Sequence, residues 1–262
     1  VFAAVIIVCN GITGLCLLAG GVRHHEQGFQ LQGALAALAV LAALTVLTLV
    51  LPNFTVSTPG PSFSTAQLIF AGAVSLILYG AFVFIQTVRH RDYFLPAGDD
   101  QDDEAHAPPP PTGVALASLG LLLASLIAVV GLAKTLSPTL ERLVAGAGAP
   151  KAVVGIMIAA LVLLPEGLAA VRAARLNRLQ TSMNLALGSA LASIGLTVPA
   201  VAAVSILLDQ PLALGLGPKE VVLLALTLLV SVITLGTGRT TVLQGIVHLV
   251  IFAAFLFLAV VP

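Results

Sequence analysis

One acidic residue, Glu166, lies in the middle of a long apolar stretch, between Pro165 and Gly167. An ionised carboxylate is costly in hydrocarbon, so this one must be protonated, paired or turned toward a wet cavity. Proline lacks a backbone donor and crowds the preceding turn, which frees carbonyl oxygens near Leu161 and Val162. A carboxylate beside free carbonyl oxygens is the hard oxygen environment that Ca²⁺ or Na⁺ prefers, and it can take a proton instead. These residues therefore predict a site that holds a metal cation and a proton in alternation.

The next apolar stretch can bring polar groups to the same depth. The turn between the two stretches centres near Asn177, so Glu166 and Gly188 each lie eleven residues from it. Asn184 and Ser189 could then supply an amide and a hydroxyl to the cation, and Gly188 allows close backbone approach. The alternative is that Asn184 and Ser189 only join helices by hydrogen bonds or pack as small residues.

Three further residues could line or gate the cavity. His248 is the other ionisable residue inside a span, and it could relay protons or simply bond a neighbouring helix. Asn10 and Gly14 lie in the first apolar stretch, where Asn10 could equally join helices as polar glue. The predicted cavity-lining or gating set is Pro165, Gly167, Gly188, Asn10, Gly14 and His248.

The composition indicates that lipid surrounds most of this chain. Of its 262 residues, 59% are hydrophobic and 8% are charged, which gives more apolar surface than a soluble fold can bury. The net charge is zero and the charges fall between apolar runs, which argues against a nucleic-acid partner. No cofactor is expected, and Glu166 is the one metal ligand predicted, for a transported ion.

The apolar runs predict an all-α, polytopic membrane protein. Runs of about 20 residues match helices that cross roughly 30 Å of hydrocarbon. We count about eight, at 1–21, 34–52, 68–88, 113–133, 152–171, 182–208, 219–237 and 242–261.

The longest connection, 89–112, divides the chain into a three-helix unit, 1–88, and a five-helix unit, 113–262. It combines clustered acids with four successive prolines, so we expect a solvated, extended linker. Alternatively, the acidic cluster attracts divalent cations and regulates the protein. The cluster consists of Asp99, Asp100, Asp102, Asp103 and Glu104.

The basic residues predict the orientation in the membrane. Seven Arg residues lie in alternate connections, against four Lys or Arg residues in the others. Because the side richer in Lys and Arg is usually cytoplasmic, the 89–112 linker is expected in the cytoplasm, with Val1 and Pro262 outside.

An internal repeat relates the two units. A shift of 174 residues pairs the first predicted helix with the sixth, the second with the seventh and the third with the eighth. Paired helices would cross the membrane in opposite directions, so the repeat is expected to be inverted. The helix with Glu166 lacks a counterpart, and the chain begins without Met, so we expect upstream sequence with a matching acid. The superposed residues are Asn10 on Asn184, Gly14 on Gly188, Leu17 on Leu191 and Gly21 on Gly195.

Two sequence segments resemble a known family. The segment LVLLPEGLAAVRAARLNRLQTSMNLALGSALASIGLTVPAV resembles the second signature repeat of the calcium/cation antiporter superfamily, most closely the ChaA-type Ca²⁺ (Na⁺ or K⁺)/H⁺ antiporters. The segment IIVCNGITGLCLLAGG is similar to the second helix of that family's first repeat. Related exchangers carry a glutamine where this chain has Ala192, so cation preference does not carry over from them.

The resemblance implies an inner-membrane antiporter of inverted repeats, with the first repeat incomplete here. Glu166 would be one of two central acids that exchange Ca²⁺, Na⁺ or K⁺ for H⁺. A non-transporting membrane subunit or an inactive fragment is the alternative. A further alternative is an integral-membrane enzyme that uses Glu166 as a general acid or base, although the sequence shows no intramembrane Asp pair, Ser-His set or HExxH motif.

Overall fold

The computed structural model describes residues 1–95, 111–146, 148, 150, 152–210 and 212–261. The acidic residues Asp99, Asp100, Asp102, Asp103 and Glu104 lie outside the described residues. Within them the chain forms eight helices, α1 Phe2–His24, α2 Leu31–Phe54, α3 Thr65–Arg89, α4 Thr112–Gly146, α5 Ala152–Arg175, α6 Leu179–Leu207, α7 Pro218–Leu235 and α8 Val242–Val260. Two short strands, β1 Glu26–Gly28 and β2 Arg239–Thr241, complete the described elements.

Each predicted span overlaps one of these helices, and the prediction of a helical membrane fold is confirmed. All the described helices except α4 are long and apolar enough to cross a membrane. α4 continues for 35 residues through Pro138, and its described apolar stretch is Thr112–Ser125. The two strands were not predicted; they pair antiparallel as a small ribbon between the α1–α2 and α7–α8 connections.

Three of the helices contain wide π turns. The π segments are Ile7–Ile12 in α1, Val46–Val50 in α2 and Ile85–Arg89 in α3. A π turn inserts an extra residue into the helix and often marks a functional position. In α1, the backbone N–H and the hydroxyl of Thr13 both donate to the Val8 carbonyl, five residues earlier. These two hydrogen bonds to one carbonyl oxygen stabilise the wide turn.

The packing of the helices is that of an inverted repeat. The most extensive contacts join α3 to α6 and α1 to α8. Exchanging α1 with α6 and α3 with α8, as the repeat requires, turns one of these pairs into the other. The connections obey the same exchange, since the ribbon joins the α1–α2 and α7–α8 connections while an isolated bridge, Ser62 to Ala213, joins the α2–α3 and α6–α7 connections. The two repeats therefore pack on each other reciprocally.

The helices that correspond in the repeat also begin in the same way. α3 starts with a capping box in which the Ser64 N–H donates to Gln67 Oε1 at 2.9 Å. α8 starts with a capping box in which the Thr241 N–H donates to Gln244 Oε1 at 2.6 Å. Each box satisfies backbone donors that a helix start otherwise leaves free, and it fixes where the helix enters the membrane.

Small residues allow the central helices to approach one another closely, as is usual in membrane bundles. A methyl group on Gly195 of α6 would lie 2.7 Å from Tyr79 Cβ of α3. A methyl group on Gly245 of α8 would lie 2.6 Å from the Leu18 backbone nitrogen of α1. Both reciprocal helix pairs therefore depend on a glycine at the crossing.

We predict that Gly195→Ala separates α3 from α6 and lowers the thermal unfolding midpoint by about 5 °C, as expected for overpacking that costs about 1–3 kcal/mol. Unfolding of the detergent-solubilised protein, followed by circular dichroism, measures this change. Gly80→Ala on α3 is the matched control, because a methyl group there meets no described atom within 4 Å. Equal midpoints for the two variants would show that the Gly195 crossing does not limit packing.

Candidate functional site

Glu166 lies on the buried face of α5, which runs from Ala152 to Arg175 without a break at Pro165. It shares this face, at spacings of three and four residues, with the buried side chains of Leu163, Ala170 and Ala174. The carboxyl group is half-buried, and its Oε2 atom is buried with no hydrogen-bond partner among the described residues. A buried oxygen without a partner is costly, so this atom requires a proton, a cation or another donor.

The residue beside Glu166 packs against the π segment of α1. A methyl group on Gly167 would lie 3.2 Å from Ile12 Cδ1, the last residue of that segment. The wide turn of α1 and the acidic position on α5 are therefore neighbours. Any change in the π turn would alter the surroundings of Glu166.

The turn predicted at Asn177 is confirmed and brings α6 back along α5. Asn177 has a φ of 61°, a left-handed conformation that asparagine tolerates better than most residues. α5 and α6 then pack along their lengths. The predicted hairpin at the centre of the site is therefore present.

Asn184 and Ser189 project from α6 in different directions, because five residues of α-helix turn through roughly 140° beyond a full circle. Ser189 is half-buried and shares a face with Ser182, which neighbours Cys16 of α1. Asn184 faces elsewhere: its Nδ2 donates to the Phe94 carbonyl at 2.5 Å, and its Oδ1 accepts from Gln180 at 3.0 Å. The structure thus places Ser189 on the α6 face that carries Ser182 and gives Asn184 protein partners, while their roles as cation ligands stay predictions.

Gly188 lines a small cleft on the Asn184 side of α6. The cleft also includes Gly33 of α2 and Gln86 of α3. A methyl group on Gly188 would meet no described atom within 4 Å. Close helix approach therefore does not explain this glycine, and its predicted gating role remains untested.

Asn10 and His248 meet in a buried polar cluster between α1, α7 and α8. His248 Nδ1 lies 3.0 Å from Asn10 Oδ1, and His248 Nε2 lies 3.1 Å from Thr234 Oγ1. Asn10 Nδ2 donates to Thr227 Oγ1 at 2.8 Å. Gly14 packs against the same helix as His248, since a methyl group on it would lie 3.1 Å from His248 Cβ. These contacts match the interhelical bonding considered for both polar residues, and their roles in a cavity remain predictions.

Sequence reasoning missed the partners of these residues on α7. Thr227, Ser231 and Thr234 are spaced by four and three residues, so they form a polar stripe on one face of an apolar helix. All three are at most 2% exposed. That spacing was readable in the sequence and indicates a helix face that bonds other helices.

A second group of polar contacts lies at the Arg-rich end of the bundle and was also missed. Gln27 Nε2 donates to the Ala174 carbonyl and to Asn177 Oδ1, both at 2.9 Å. The Gln30 N–H donates to Gln180 Oε1 at 2.6 Å. These bonds attach the α1–α2 connection to the central turn.

The described side chains offer a transported cation few charged ligands. Among the described residues, no three His, Cys, Asp or Glu side chains lie close enough together to hold a metal ion. Ca²⁺ takes six to eight oxygens, which include carbonyls, hydroxyls and water as well as carboxylates. Glu166 would thus need neutral oxygens around it, which suits a site that releases its ion.

An acid placed in an inverted repeat of membrane-spanning helices is the arrangement of a secondary transporter. Family comparison agrees, because the sodium/calcium exchanger protein family matches residues 1–88 and 117–261. The chain belongs to this family. It is a multi-pass membrane protein, and the relatives below are named as transporters.

Three relatives cover nearly the whole chain. It is 57% identical over 266 residues to y4hA of Sinorhizobium fredii, which is named as an ionic transporter; the match covers 100% of this chain and 71% of that protein. It is 36% identical to the sodium-potassium/proton antiporter ChaA of Escherichia coli, covering 97% of this chain and 69% of ChaA. It is 26% identical to a Ca²⁺/H⁺ antiporter of Aphanothece halophytica, and the match covers 96% of this chain and 71% of that protein.

Solved structures show the same fold. Native YfkE is 18% identical with a TM-score of 0.75, covering 100% of this chain and 73% of YfkE. The sodium-calcium exchanger NCX_Mj, soaked with 10 mM Na⁺ and no Ca²⁺, is 18% identical with a TM-score of 0.57. The match covers 97% of this chain and 73% of NCX_Mj. The predicted antiporter fold and the predicted family are therefore confirmed.

We predict that Gly167→Val pushes α5 away from Ile12 and lowers the thermal midpoint by several degrees, since overpacking of this kind costs about 1–3 kcal/mol. Adding Ile12→Ala removes the opposing side chain and should restore most of the loss. The four proteins form a double-mutant cycle that is read by thermal unfolding in detergent. If the change in midpoint of the double variant equals the sum of the changes in the two single variants, the contact between Gly167 and Ile12 is contradicted.

Proposed function

We propose that this protein exchanges Ca²⁺, Na⁺ or K⁺ for H⁺ across the membrane, with Glu166 binding the cation and the proton in alternation. One observation carries the proposal: a carboxyl oxygen of Glu166 is buried in a membrane-spanning helix without a partner among the described residues. Such an oxygen is stable when it is protonated or when it binds a cation, and unstable when it is bare. The names of the relatives support the same class of cargo.

Because the carboxylate of Glu166 can hold either the cation or the proton but not both, it couples the movement of the cation to that of the proton. A proton that arrives from one side neutralises Glu166 and releases the cation to the side that is then open. Removal of that proton makes the carboxylate a ligand for the next cation. Because the empty, charged state is unfavourable in hydrocarbon, the site changes sides mainly when it is occupied, which prevents a leak.

The inverted repeat supplies a means of opening the site to each side in turn. The reciprocal pairs α1 with α8 and α3 with α6 have related packing but opposite directions through the membrane. Rocking of one repeat against the other would therefore exchange an opening on one side for an equivalent opening on the other.

Ser189 and backbone carbonyls are the proposed neutral ligands. Pro165 has no N–H, so the carbonyl of Leu161 lacks its usual helical donor and is available to a cation. Ser189 is half-buried on α6, the helix that packs along α5. Asn184 would first have to release Phe94 or Gln180, so we assign it to one state of the transport cycle rather than to a permanent ligand set.

The proposed location is the inner membrane of a bacterium. The Arg-rich ends of the helices, together with the 89–112 connection, would face the cytoplasm. Val1 and Pro262 would then lie at the outer side.

We predict that Glu166→Gln abolishes exchange. The neutral amide resembles the protonated acid but cannot bind a cation by charge. The full-length protein in proteoliposomes is given Ca²⁺, Na⁺ or K⁺ against a pH gradient, and a pH-sensitive dye follows the gradient. Glu141→Gln, the same change at an exposed acid on α4, is expected to keep the wild-type rate. A Glu166→Gln variant that exchanges at that rate would remove Glu166 from the mechanism, and a wild type that moves none of the three ions would refute the proposed function.

We predict that deleting Asp99 to Glu104 preserves exchange and changes at most its apparent affinity, because the acidic cluster lies in a connection outside the spans. Initial rates over a range of Ca²⁺ concentrations test this. A deletion of Ala105 to Pro110, which also removes six residues, controls for shortening of the connection. Complete loss of exchange in the acidic deletion alone would make the cluster part of the transport machinery.

A further inference from the structure

The buried cluster between α1, α7 and α8 has a defined hydrogen-bond direction. Asn10 and His248 are fully buried, as are the two Thr residues that flank them. With the Asn10 amide turned so that Nδ2 donates to Thr227, its oxygen faces His248 Nδ1 and can only accept, which places the ring hydrogen on Nδ1. The His248 ring also bonds the backbone of Cys9, in the same π segment as Asn10. His248 Nε2 then accepts from the Thr234 hydroxyl, and Asn10 Nδ2 donates to Thr227 Oγ1. The chain of bonds runs from α7 through α8 and α1 back to α7.

This chain is fixed to the π turn of α1. Asn10 lies inside the π segment Ile7–Ile12, and its side chain holds that turn on the side of α7 and α8. On the other side of the same turn, Ile12 packs beside Gly167, next to Glu166. The π turn therefore connects the buried cluster to the acidic position without any direct contact between His248 and Glu166.

The repeat shows that this arrangement is particular to one half of the protein. Asn184 is the counterpart of Asn10 under the shift of 174 residues, yet its amide bonds Gln180 and the Phe94 carbonyl. α6 contains no π segment at that position, since it is α-helical from Leu179 to Leu207. The wide turn and the histidine bond thus occur together in α1 and are both missing from α6.

We propose that His248 is a positioning residue for exchange, which acts through its Nδ1–H bond to Asn10 to hold the π turn of α1 against α5 beside Glu166. The inference rests on the proposed function for its transport readout. A buried hydrogen bond of this kind is lost at a high cost, because the partner cannot turn to water. Losing the bond would free the turn to change its register, while the binding groups of the site remain present.

Two substitutions separate the two ring nitrogens. In asparagine the amide nitrogen is attached at Cγ, as Nδ1 is in histidine, so His248→Asn can still donate to Asn10. In glutamine the amide is one atom further out, near the position of Nε2, so His248→Gln can reach Thr234 instead. Neither variant can carry a titratable proton, and both are smaller and neutral. They differ chiefly in which bond they keep.

The experiment measures exchange and thiol labelling in the full-length protein in proteoliposomes. We expect His248→Asn to keep the maximal rate within about twofold and His248→Gln to lower it about tenfold, with the apparent KM for the cation unchanged. Maleimide labelling, resolved by peptide mass spectrometry, reports on the turn itself. Cys9 adjoins Asn10 and is 1% exposed, while Cys16 is fully buried beyond the π segment and serves as the internal control. His248→Gln should raise labelling of Cys9 relative to Cys16, and His248→Asn should not.

Each other outcome overturns the inference. Equal loss in both variants would mean that the imidazole itself is needed, as in proton relay, and equal retention would mean that the bond to Asn10 is dispensable. A drop in thermal stability with an unchanged rate per folded molecule would leave His248 with a structural role only. If His248→Gln does not fold, Asn10→Ala, which removes the acceptor of the His248 Nδ1–H bond, and Thr234→Val, which removes only the bond to Nε2, replace the pair. A lower rate and higher labelling of Cys9 are then expected only for Asn10→Ala. A wild type without exchange would refute the proposed function, while the Cys9 labelling would still decide whether His248 holds the π turn.

Discussion

A carboxyl oxygen inside a membrane helix without a bonding partner among the described residues is the constraint on which this protein depends. Hydrocarbon offers no solvation to Glu166, so the surrounding helices must allow it a proton or a cation and must do so reversibly. A permanent ion pair with Lys or Arg would satisfy the carboxylate, which would then need neither a proton nor a cation. No ion pair joins Glu166 to a described Lys or Arg, and the neighbouring Gly167 packs against Ile12. In the proposed function, Glu166 is therefore stable only while it holds a proton or a cation, which is what coupling of the two requires.

The inverted repeat explains the scaffold but not all of its details. Reciprocal packing of α1 with α8 and of α3 with α6, together with the paired connections at the two ends, gives both halves equivalent crossings. The halves differ where the equivalent asparagines bond. The amide of Asn10 bonds side chains of neighbouring helices, whereas the amide of Asn184 donates to the backbone carbonyl of Phe94 in the 89–112 connection. A transporter of two related halves thus has one half anchored in its core and the other anchored to a connection.

The sequence determines much of this fold because lipid makes strong demands on composition. Apolar runs of sufficient length identify the spans, and the turn at Asn177 follows from the break between two runs. Glu166 is conspicuous because charge in a span is costly. Hydropathy contains no information about partners far apart in the chain, so the bond between Asn10 and His248, 238 residues apart, and the ribbon of Glu26–Gly28 with Arg239–Thr241 could not be predicted. The π turn of α1 was equally hidden, because its residues suit an ordinary helix and only tertiary packing selects the wider one.

The groove between α1 and α5 shows from which side ions cannot approach Glu166. It has a volume of about 690 Å³, and every described residue that lines it is apolar except Arg175 at its end. A hydrated cation would lose its water there without gaining oxygen ligands, so this surface suits lipid chains or another apolar helix. α5 is correspondingly open, since only 11% of its most apolar 18-residue stretch is buried inside the protein. The helix that packs along α5 is α6, which carries the half-buried Ser189 proposed as a neutral ligand. The ion route that fits the proposed function therefore runs along the contact of α5 with α6, and the proposed rocking of the repeats would open that contact rather than the groove.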